Sequence, residues 1–401
     1  MKICLISNLY EPYNRGGAEQ VVKNTVDGLT DLGHQVVVIT SRPRGQKPFN
    51  ESFPKLKIYR FFPWNFFFYG NDYKYPAAAR FFWHIFDVFN LHSYWVIKKI
   101  LQKEQPDVVH THNLKGVGFL IPLVIKRLKL FHVHTLHDVQ LVEPSGIIIT
   151  AKTKSVFYEL FRKSYERICR FLFGSPQVII SPSKFLLEFY ERRGFFSSSR
   201  KLVIPNPVLF RHGAPAPHPN NSIFTFLYLG QIEEHKGILF LVKAFKKFLL
   251  THPAARLIVV GAGSKLEEVR ALAQGENQII IKGRAEREEL PQIFSVADLT
   301  VVPSLCYENS PTVIFESFSF GVPVLASSIE GVAELIKDGE NGLTFAAGQE
   351  AALVEKLAWI IQNQSQIQTM RVAALSSIQG RGLAEYLDKL LNLCYNTSLN
   401  K

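Results

Sequence analysis

Apolar positions fall along the chain in short runs that alternate with stretches of helical spacing. Residues 2–7 (KICLIS) form an apolar run rich in β-branched residues, and a Gly-bearing loop separates them from residues 19–32, where Val22, Val26 and Leu29 recur on one helical face. A second run, QVVVIT at 35–40, follows. Strand, helix and buried strand in succession predict parallel pairing through a right-handed crossover. Runs at 107–110 (DVVH), 131–135 (FHVHT), 178–181 (VIIS) and 201–204 (KLVI) continue the pattern, most of them separated by helical stretches. The first half therefore reads as a doubly wound α/β domain.

The pattern breaks after Pro205-Asn206-Pro207. Pro215, Pro217, Pro219 and Asn220-Asn221 exclude a helix or a central strand, so 209–221 is predicted as a linker between a domain at 1–208 and another at 222–380. The second domain restarts with FTFLYL at 224–229, a loop from Gly230 to Gly237 and a helix over about 238–250. It continues with apolar runs at 256–260, 278–281, 299–302 and 322–326. Within the terminal segment 381–401, Leu383, Tyr386, Leu387, Leu390 and Leu391 share one helical face, which is expected to be buried against the first domain. Two doubly wound domains in tandem are expected to face each other across a cleft lined by strand C-terminal ends.

The composition fits this picture. A chain of 401 residues with 47% apolar and 20% charged positions is a folded protein with room for more than one core. Cys4, Cys169, Cys306 and Cys394 are scattered with no C-x-x-C pair, which predicts no disulfide framework or local zinc site and a reducing, cytoplasmic setting. Met1 to Ile6 is too short for a signal h-region.

The net charge of +12 is divided unevenly, +14 before Val208 and −2 from there on. Positive charge serves either nucleic acid or an anionic membrane, and no nucleic-acid-binding motif is present. Residues 61–89 are densely aromatic, and 152–173 interleave Phe157, Phe161, Phe171 and Phe173 with Lys152, Lys154, Arg162, Lys163, Arg167 and Arg170. Charge or proline interrupts both stretches too soon for a transmembrane span. The mixture is that of an interfacial surface on the cytoplasmic face of a membrane; the alternative is that these helices pack internally and their charges face water.

Several segments carry candidate chemistry. Gly16-Gly17-Ala18-Glu19, between the first strand and the first helix, offers backbone N–H groups to a phosphate or a close-approaching sugar, or else makes a plain tight turn. Gly261-Ala262-Gly263 is a partial dinucleotide fingerprint whose third glycine is replaced by Leu266, so a turn requiring small residues is preferred to a dehydrogenase site. His110, His112, His132 and His134 alternate on strand-like segments, yet no carboxylate or cysteine pattern joins them into a metal site.

The most informative stretch begins at Pro303. Glu308 precedes a predicted helix start formed by Asn309, Ser310, Pro311 and Thr312, with Ser310 as N-cap and Pro311 as first helical residue. Free N–H groups there suit a diphosphate, and Glu316, further into the helix, suits a ribose diol. The alternative is that both acids are ordinary solvated surface groups.

Glu308-(seven residues)-Glu316, the Gly-Val-Pro-Val-Leu-Ala strand after it and the Gly331-Val332-x-Glu334-Leu335 turn resemble glycosyltransferase family 4, the retaining nucleotide-sugar transferases of the GT-B fold. The resemblance extends along nearly the whole chain. It takes in Gly16-Gly17-Ala18-Glu19, Asp107-Val108-Val109-His110-Thr111-His112-Asn113, Thr135-Leu136-His137-Asp138 and the loop Gly230 to Gly237 (GQIEEHKG). It implies two Rossmann-like domains, a UDP- or GDP-sugar co-substrate, no cofactor and no metal; the absence of any D-x-D sequence agrees. It also implies that Gly16 and Gly17 approach the diphosphate or the acceptor, that His137 contacts the donor sugar and that Lys236 neutralises the leaving diphosphate. Glu308 would hold the transferred sugar, with Asn309 to Thr312 at the helix start, and Glu316 the ribose. His112 is assigned to the acceptor side. Many family members carry an Arg immediately after the first glycine of the phosphate loop, where this chain has Gln231; Arg284 is the expected compensating charge. The setting implied is surface polysaccharide or glycolipid assembly with a lipid-linked or glycan acceptor, and a non-catalytic sugar-nucleotide-binding scaffold is the alternative.

Overall fold

The computed structural model describes residues 1–14, 16–45, 50–149, 156–208 and 223–396, so the predicted linker at 209–221 lies outside the described residues, as do Lys152 and Lys154. The described chain forms two units, one holding residues up to 146, 156–207 and 383 onward, the other 147–149 and 208–382.

The first unit contains β1 (Lys2–Ile6), α1 (Gly17–Asp31), β2 (Gln35–Ser41), β3 (Asn50–Ser52), β4 (Leu56–Phe61), α2 (Ala77–Val88), α3 (Leu91–Glu104), β5 (Val108–Thr111), α4 (Ile121–Arg127), β6 (Phe131–Thr135), α5 (Val156–Phe173), β7 (Val178–Ser181), α6 (Lys184–Glu191) and β8 (Arg200–Val203). Its sheet runs β3-β4-β2-β1-β5-β6-β7-β8, parallel throughout except for the β3–β4 edge pair. Leu5 lies opposite Val38 on one side and His110 on the other. Because helices cover both faces, the central strands are apolar without alternation: Ile3 to Ile6 and Val36 to Ile39 are all buried.

In the second unit β9 (Thr225–Leu229), α7 (Ile238–Leu249), β10 (Arg256–Val260), α8 (Leu266–Ala273), β11 (Ile279–Gly283), α9 (Leu290–Ser295), β12 (Leu299–Val302), α10 (Thr312–Ser319), β13 (Val324–Ser327), β14 (Gly342–Phe345), α11 (Glu350–Gln362) and α12 (Gln364–Ser376) build an all-parallel sheet of order β11-β10-β9-β12-β13-β14. Phe226, Phe245 and Phe248 meet edge to face or tilted in its core. The terminal segment, α13 (Leu383–Lys389) with a π-helical turn over Leu390–Tyr395, packs on α1 of the first unit. Tyr386, Leu387, Leu390 and Tyr395 are buried there, and Leu387 fills the space that a side chain at Gly28 would take.

Two boundaries differ from the sequence reading. Ile149 bridges Cys306, and the Tyr307 amide donates to Ile148 O at 3.0 Å, so residues 147–149 belong to the second unit although they lie within the first 208 residues. Helix α10 begins at Thr312, with Pro311 in the N-cap place; the buried Ser310 hydroxyl caps nothing and has no hydrogen-bond partner.

Strand order locates the chemistry. Each sheet reverses direction beside its first strand, between β1 and β5 and between β9 and β12, and open α/β sheets leave a crevice at the C-terminal ends of the strands flanking such a reversal. The loops there carry Gly16-Gly17 and His112 in the first unit, and Gly230 to Gly237 and Pro303 to Pro311 in the second.

Candidate active site

In the second unit the loops after β9 and β12 are locked together by close backbone packing. Gly237 adopts φ +74, and a Cβ there would lie 1.8 Å from Pro303 O. The Leu305 amide donates to His235 O at 2.9 Å. Gly331, at φ +87, lies against the Glu308 carbonyl, where a Cβ would come within 1.9 Å. These contacts bring Lys236 and Glu308 together: Lys236 Nζ is 2.6 Å from Glu308 Oε1, which also accepts the Ser304 hydroxyl at 2.8 Å. Burial opposes the charge on Lys236, but the adjacent Glu308 carboxylate outweighs it, and the lysine pKa is raised. The Lys236 side chain is still 28% exposed, enough for a ligand to reach it.

Glu316 projects from α10, half-buried. Burial pushes its carboxyl above the ordinary range, and the Arg287 guanidinium pulls partly back. Arg287 was not singled out in the sequence, where its only signal is a place four residues after Gly283 in the loop that follows β11. Arg284, the expected compensating cation, is exposed and lies 3.8 Å from Glu286. Gln231 is exposed, and its carbonyl accepts the Tyr228 hydroxyl at 2.6 Å. Asn309, Pro311 and Thr312 are half-buried at the α10 start. Gly261 and Gly263 owe their identity to packing, since a Cβ at either would strike Gly230 O or Ile232 O. The tight-turn reading holds there.

In the first unit Gly16 is extended at φ −169, and its amide donates to Glu19 Oε2 at 2.9 Å. That N–H serves the helix start. His112 does not line an acceptor surface: it is fully buried and lies beneath half-buried His137, with Nδ1 2.9 Å from His137 Nε2. The His110 ring lies tilted against His112 with centroids 4.3 Å apart and bonds the Tyr395 hydroxyl at 2.5 Å and the Thr135 hydroxyl at 2.7 Å. His132 and His134 share the Thr111 hydroxyl, each at 2.8 Å. Burial lowers His137 to about 4 and His110 and His132 to about 3, so the array is neutral at pH 7. Among the described residues no three His, Cys, Asp or Glu side chains converge on a metal-sized site.

The aromatic segment splits between core and surface. Trp83 is buried, donates its indole N–H to Phe67 O at 2.8 Å and stacks on Phe67. Phe81, Phe82, Ile85 and Phe86 of α2 are exposed, Phe66 packs edge-on against Phe86, and Phe81 touches Phe161 of α5. On α5 the exposed Phe157, Leu160, Ile168 and Phe171 alternate with Lys163 and Arg167. Arg162 is tied to Glu159 and Glu166, which offset its charge, and exposed Arg170 donates to Arg193 O at 2.8 Å. No helix among the described residues is long and apolar enough to cross a membrane.

Two Rossmann-like sheets, each with its motif loops at the point of strand reversal, define a GT-B glycosyltransferase. The Glycosyltransferase Family 4 description matches residues 15–209, and Glycosyl transferases group 1 matches 216–375. The chain belongs to glycosyltransferase family 4 and is an enzyme of that class. It is 25% identical to an uncharacterised 42.6 kDa protein in the cps region of Klebsiella pneumoniae, over 84% of this chain and 87% of that one. It is 24% identical to alpha-monoglucosyldiacylglycerol synthase of Acholeplasma laidlawii, over 92% and 90%. Among solved structures, sucrose-phosphate synthase of Thermosynechococcus elongatus has a TM-score of 0.76 at 20% identity over the full length of both chains. Anabaena HepE in complex with UDP-glucose has a TM-score of 0.70 at 16% identity, covering 99% of this chain and 100% of that one. At such identities the structural likeness concerns the fold alone.

Proposed function

We propose that this glycosyltransferase moves a sugar from a UDP- or GDP-linked donor to an acceptor hydroxyl with retention of anomeric configuration, in surface polysaccharide or glycolipid assembly. The observation that carries this reading is the partly buried Lys236–Glu308 pair beside the start of α10. As the bond to the leaving diphosphate breaks, negative charge accumulates on its oxygens. A fixed ammonium and helix N–H groups then stabilise the transition state more than the ground state, and no metal ion is required for that. Lys236 supplies the charge, Glu308 holds the transferred sugar, Glu316 accepts the ribose hydroxyls and His137, neutral, bonds a sugar hydroxyl. Support for a UDP-linked donor comes from the UDP-glucose held by HepE, and for a lipid-linked acceptor from the Acholeplasma enzyme. The exposed aromatic and basic face of α2 and α5 supports peripheral attachment to an anionic membrane surface on the cytoplasmic side.

The test is incubation with a panel of UDP- and GDP-sugars, with and without EDTA, following release of nucleoside diphosphate. Slow hydrolysis of one donor, undiminished by EDTA, is the expected result. Binding without release for every donor would make the chain a scaffold, and a strict Mg²⁺ or Mn²⁺ requirement would remove Lys236 as the principal leaving-group stabiliser.

A further inference from the structure

The burial of His112 leaves the acceptor without an assigned partner in the first unit. Most polar side chains on the loops that follow β1, β5 and β6 are spent inside the protein. Asn8 is buried, and its side-chain amide donates to Lys115 O and accepts the Leu9 N–H. Glu143 is buried too and accepts the Ser145 and Tyr158 hydroxyls. Asn113, after β5, and Asp138, after β6, differ: both are half-buried, and each uses only part of its side chain.

A single residue organises these two. Gln140, only 5% exposed, donates its backbone N–H to Asp138 Oδ1 at 2.8 Å and pairs its side-chain amide with that of Asn113 at 2.7 Å. Whichever way the two amides are turned, one polar atom of Asn113 is used there and the other is left. Asp138 Oδ2 likewise takes no hydrogen bond among the described residues, and Gly146, where even a Cβ would stay 3.8 Å away, has no side chain to cover it. The support beneath is firm, because the buried Tyr165 hydroxyl donates to Gln140 O at 2.7 Å and the buried Tyr190 hydroxyl to Asp138 O at 2.8 Å. Burial raises the Asp138 carboxyl to about 6, and the Gln140 N–H and the Lys115 ammonium pull partly back, so the group is ionised at pH 7.5. A fixed carboxylate oxygen repels an anionic ligand and accepts from a hydroxyl, while an amide atom serves a second hydroxyl. That combination suits a sugar ring.

We propose that Asn113 and Asp138, held by Gln140, form the subsite of the first unit that binds the hydroxyls of a saccharide acceptor. The assignment to the acceptor rests on the proposed transfer to a hydroxyl, in which Lys236, Glu308, Glu316 and His137 meet the donor.

The experiment is saturation-transfer-difference NMR of the full chain at pH 7.5, with the methyl glycosides of glucose, galactose, mannose and N-acetylglucosamine as probes. Saturation of the ring protons of at least one glycoside is expected, and UDP-glucose or GDP-mannose added afterwards should not displace it. Asp138→Asn keeps an oxygen for the Gln140 N–H and removes the carboxylate, and should weaken that binding by at least about tenfold, the usual loss for a hydrogen bond to a charged group. Asn113→Ala should weaken it as well, with the thermal midpoint of both variants measured alongside. No saturation of any glycoside in the wild type, or an affinity unchanged in Asp138→Asn, overturns the proposal. Displacement by either nucleotide sugar places the probe in the donor-sugar site and overturns it too. Failure of the donor panel to release any nucleoside diphosphate would count against the transferase reading alone, since glycoside binding is measured without turnover.

Discussion

Lys236 and Glu308 show how far a residue can be read in isolation. Each stands in a recognisable loop, yet they lie 72 positions apart, and nothing in either loop announces that the two side chains meet. Arg287 likewise gives no sign in the sequence of its place near Glu316. We predict that Lys236→Ala and Glu316→Ala each weaken UDP or GDP binding by about 1.5–3 kcal/mol, the usual loss for a hydrogen bond to a charged group, while the thermal midpoint stays close to wild type. Titration calorimetry and circular-dichroism melts check both parts. Unchanged affinity for both nucleotides in both variants would refute the site assignment. His112 is the counter-example at this scale, because its motif was legible and its burial was not.

Elements were more legible than their partners. Most strands and helices follow from hydrophobic runs and helical spacing, and the misplaced boundaries arise where local signals compete. At α10 the Ser-Pro pair reads as N-cap and first turn, but Pro311 takes an extended ψ of 119 and becomes the cap itself. The terminal helix was expected to bury its leucine face, and the residue it needed across the contact is Gly28, whose missing side chain admits Leu387. Leu387→Ala should therefore open a cavity under α1 and cost about 2–5 kcal/mol. A lowered urea midpoint reports the loss, and fluorescence of a tryptophan placed in either unit shows whether the first unit melts earlier than the second.

For the molecule as a whole, the neutral histidine array makes stability depend on pH. Burial lowers His110, His112, His132, His134 and His137 in the folded chain, so their contribution is complete above about pH 6.5 and is lost as pH falls, toward about 4 for His137 and about 3 for His110 and His132. A fully buried histidine with a folded value near 3 forfeits about 2 kcal/mol between pH 6.5 and 5. Asp87 and Asp138 act in the opposite sense, because burial raises them to about 7 and about 6, and folding gains from their protonation as pH falls. Five histidines outweigh two aspartates. The denaturant midpoint of the first unit should fall on going from pH 7 to pH 5, and His132→Gln should make that fall shallower; a flat profile would contradict the neutral array.

The proposed membrane attachment is also tested on the molecule as a whole. Burying aromatic side chains at the headgroup boundary gives salt-insensitive binding, whereas Lys and Arg near an anionic surface each add about 1 kcal/mol that salt screens. In vesicle co-sedimentation, Phe82→Ser with Phe86→Ser should abolish binding to neutral and anionic vesicles alike. Lys163→Gln with Arg167→Gln should reduce only binding to anionic vesicles at low salt. Equal sedimentation of all three proteins would point to a soluble acceptor.

By itself the sequence determined the two parallel sheets, the family and the identity of the residues at the strand ends, because hydrophobic runs, turn residues and motif order are local properties. Only the tertiary structure decided which of those residues meet. It tied Lys236 to Glu308, put Arg287 near Glu316, buried His112 beneath His137 and divided the aromatic segment between core and surface. Each of these depends on contacts between segments far apart in the chain, whose geometry is set by strand order and helix packing and leaves no periodic trace in the residues themselves.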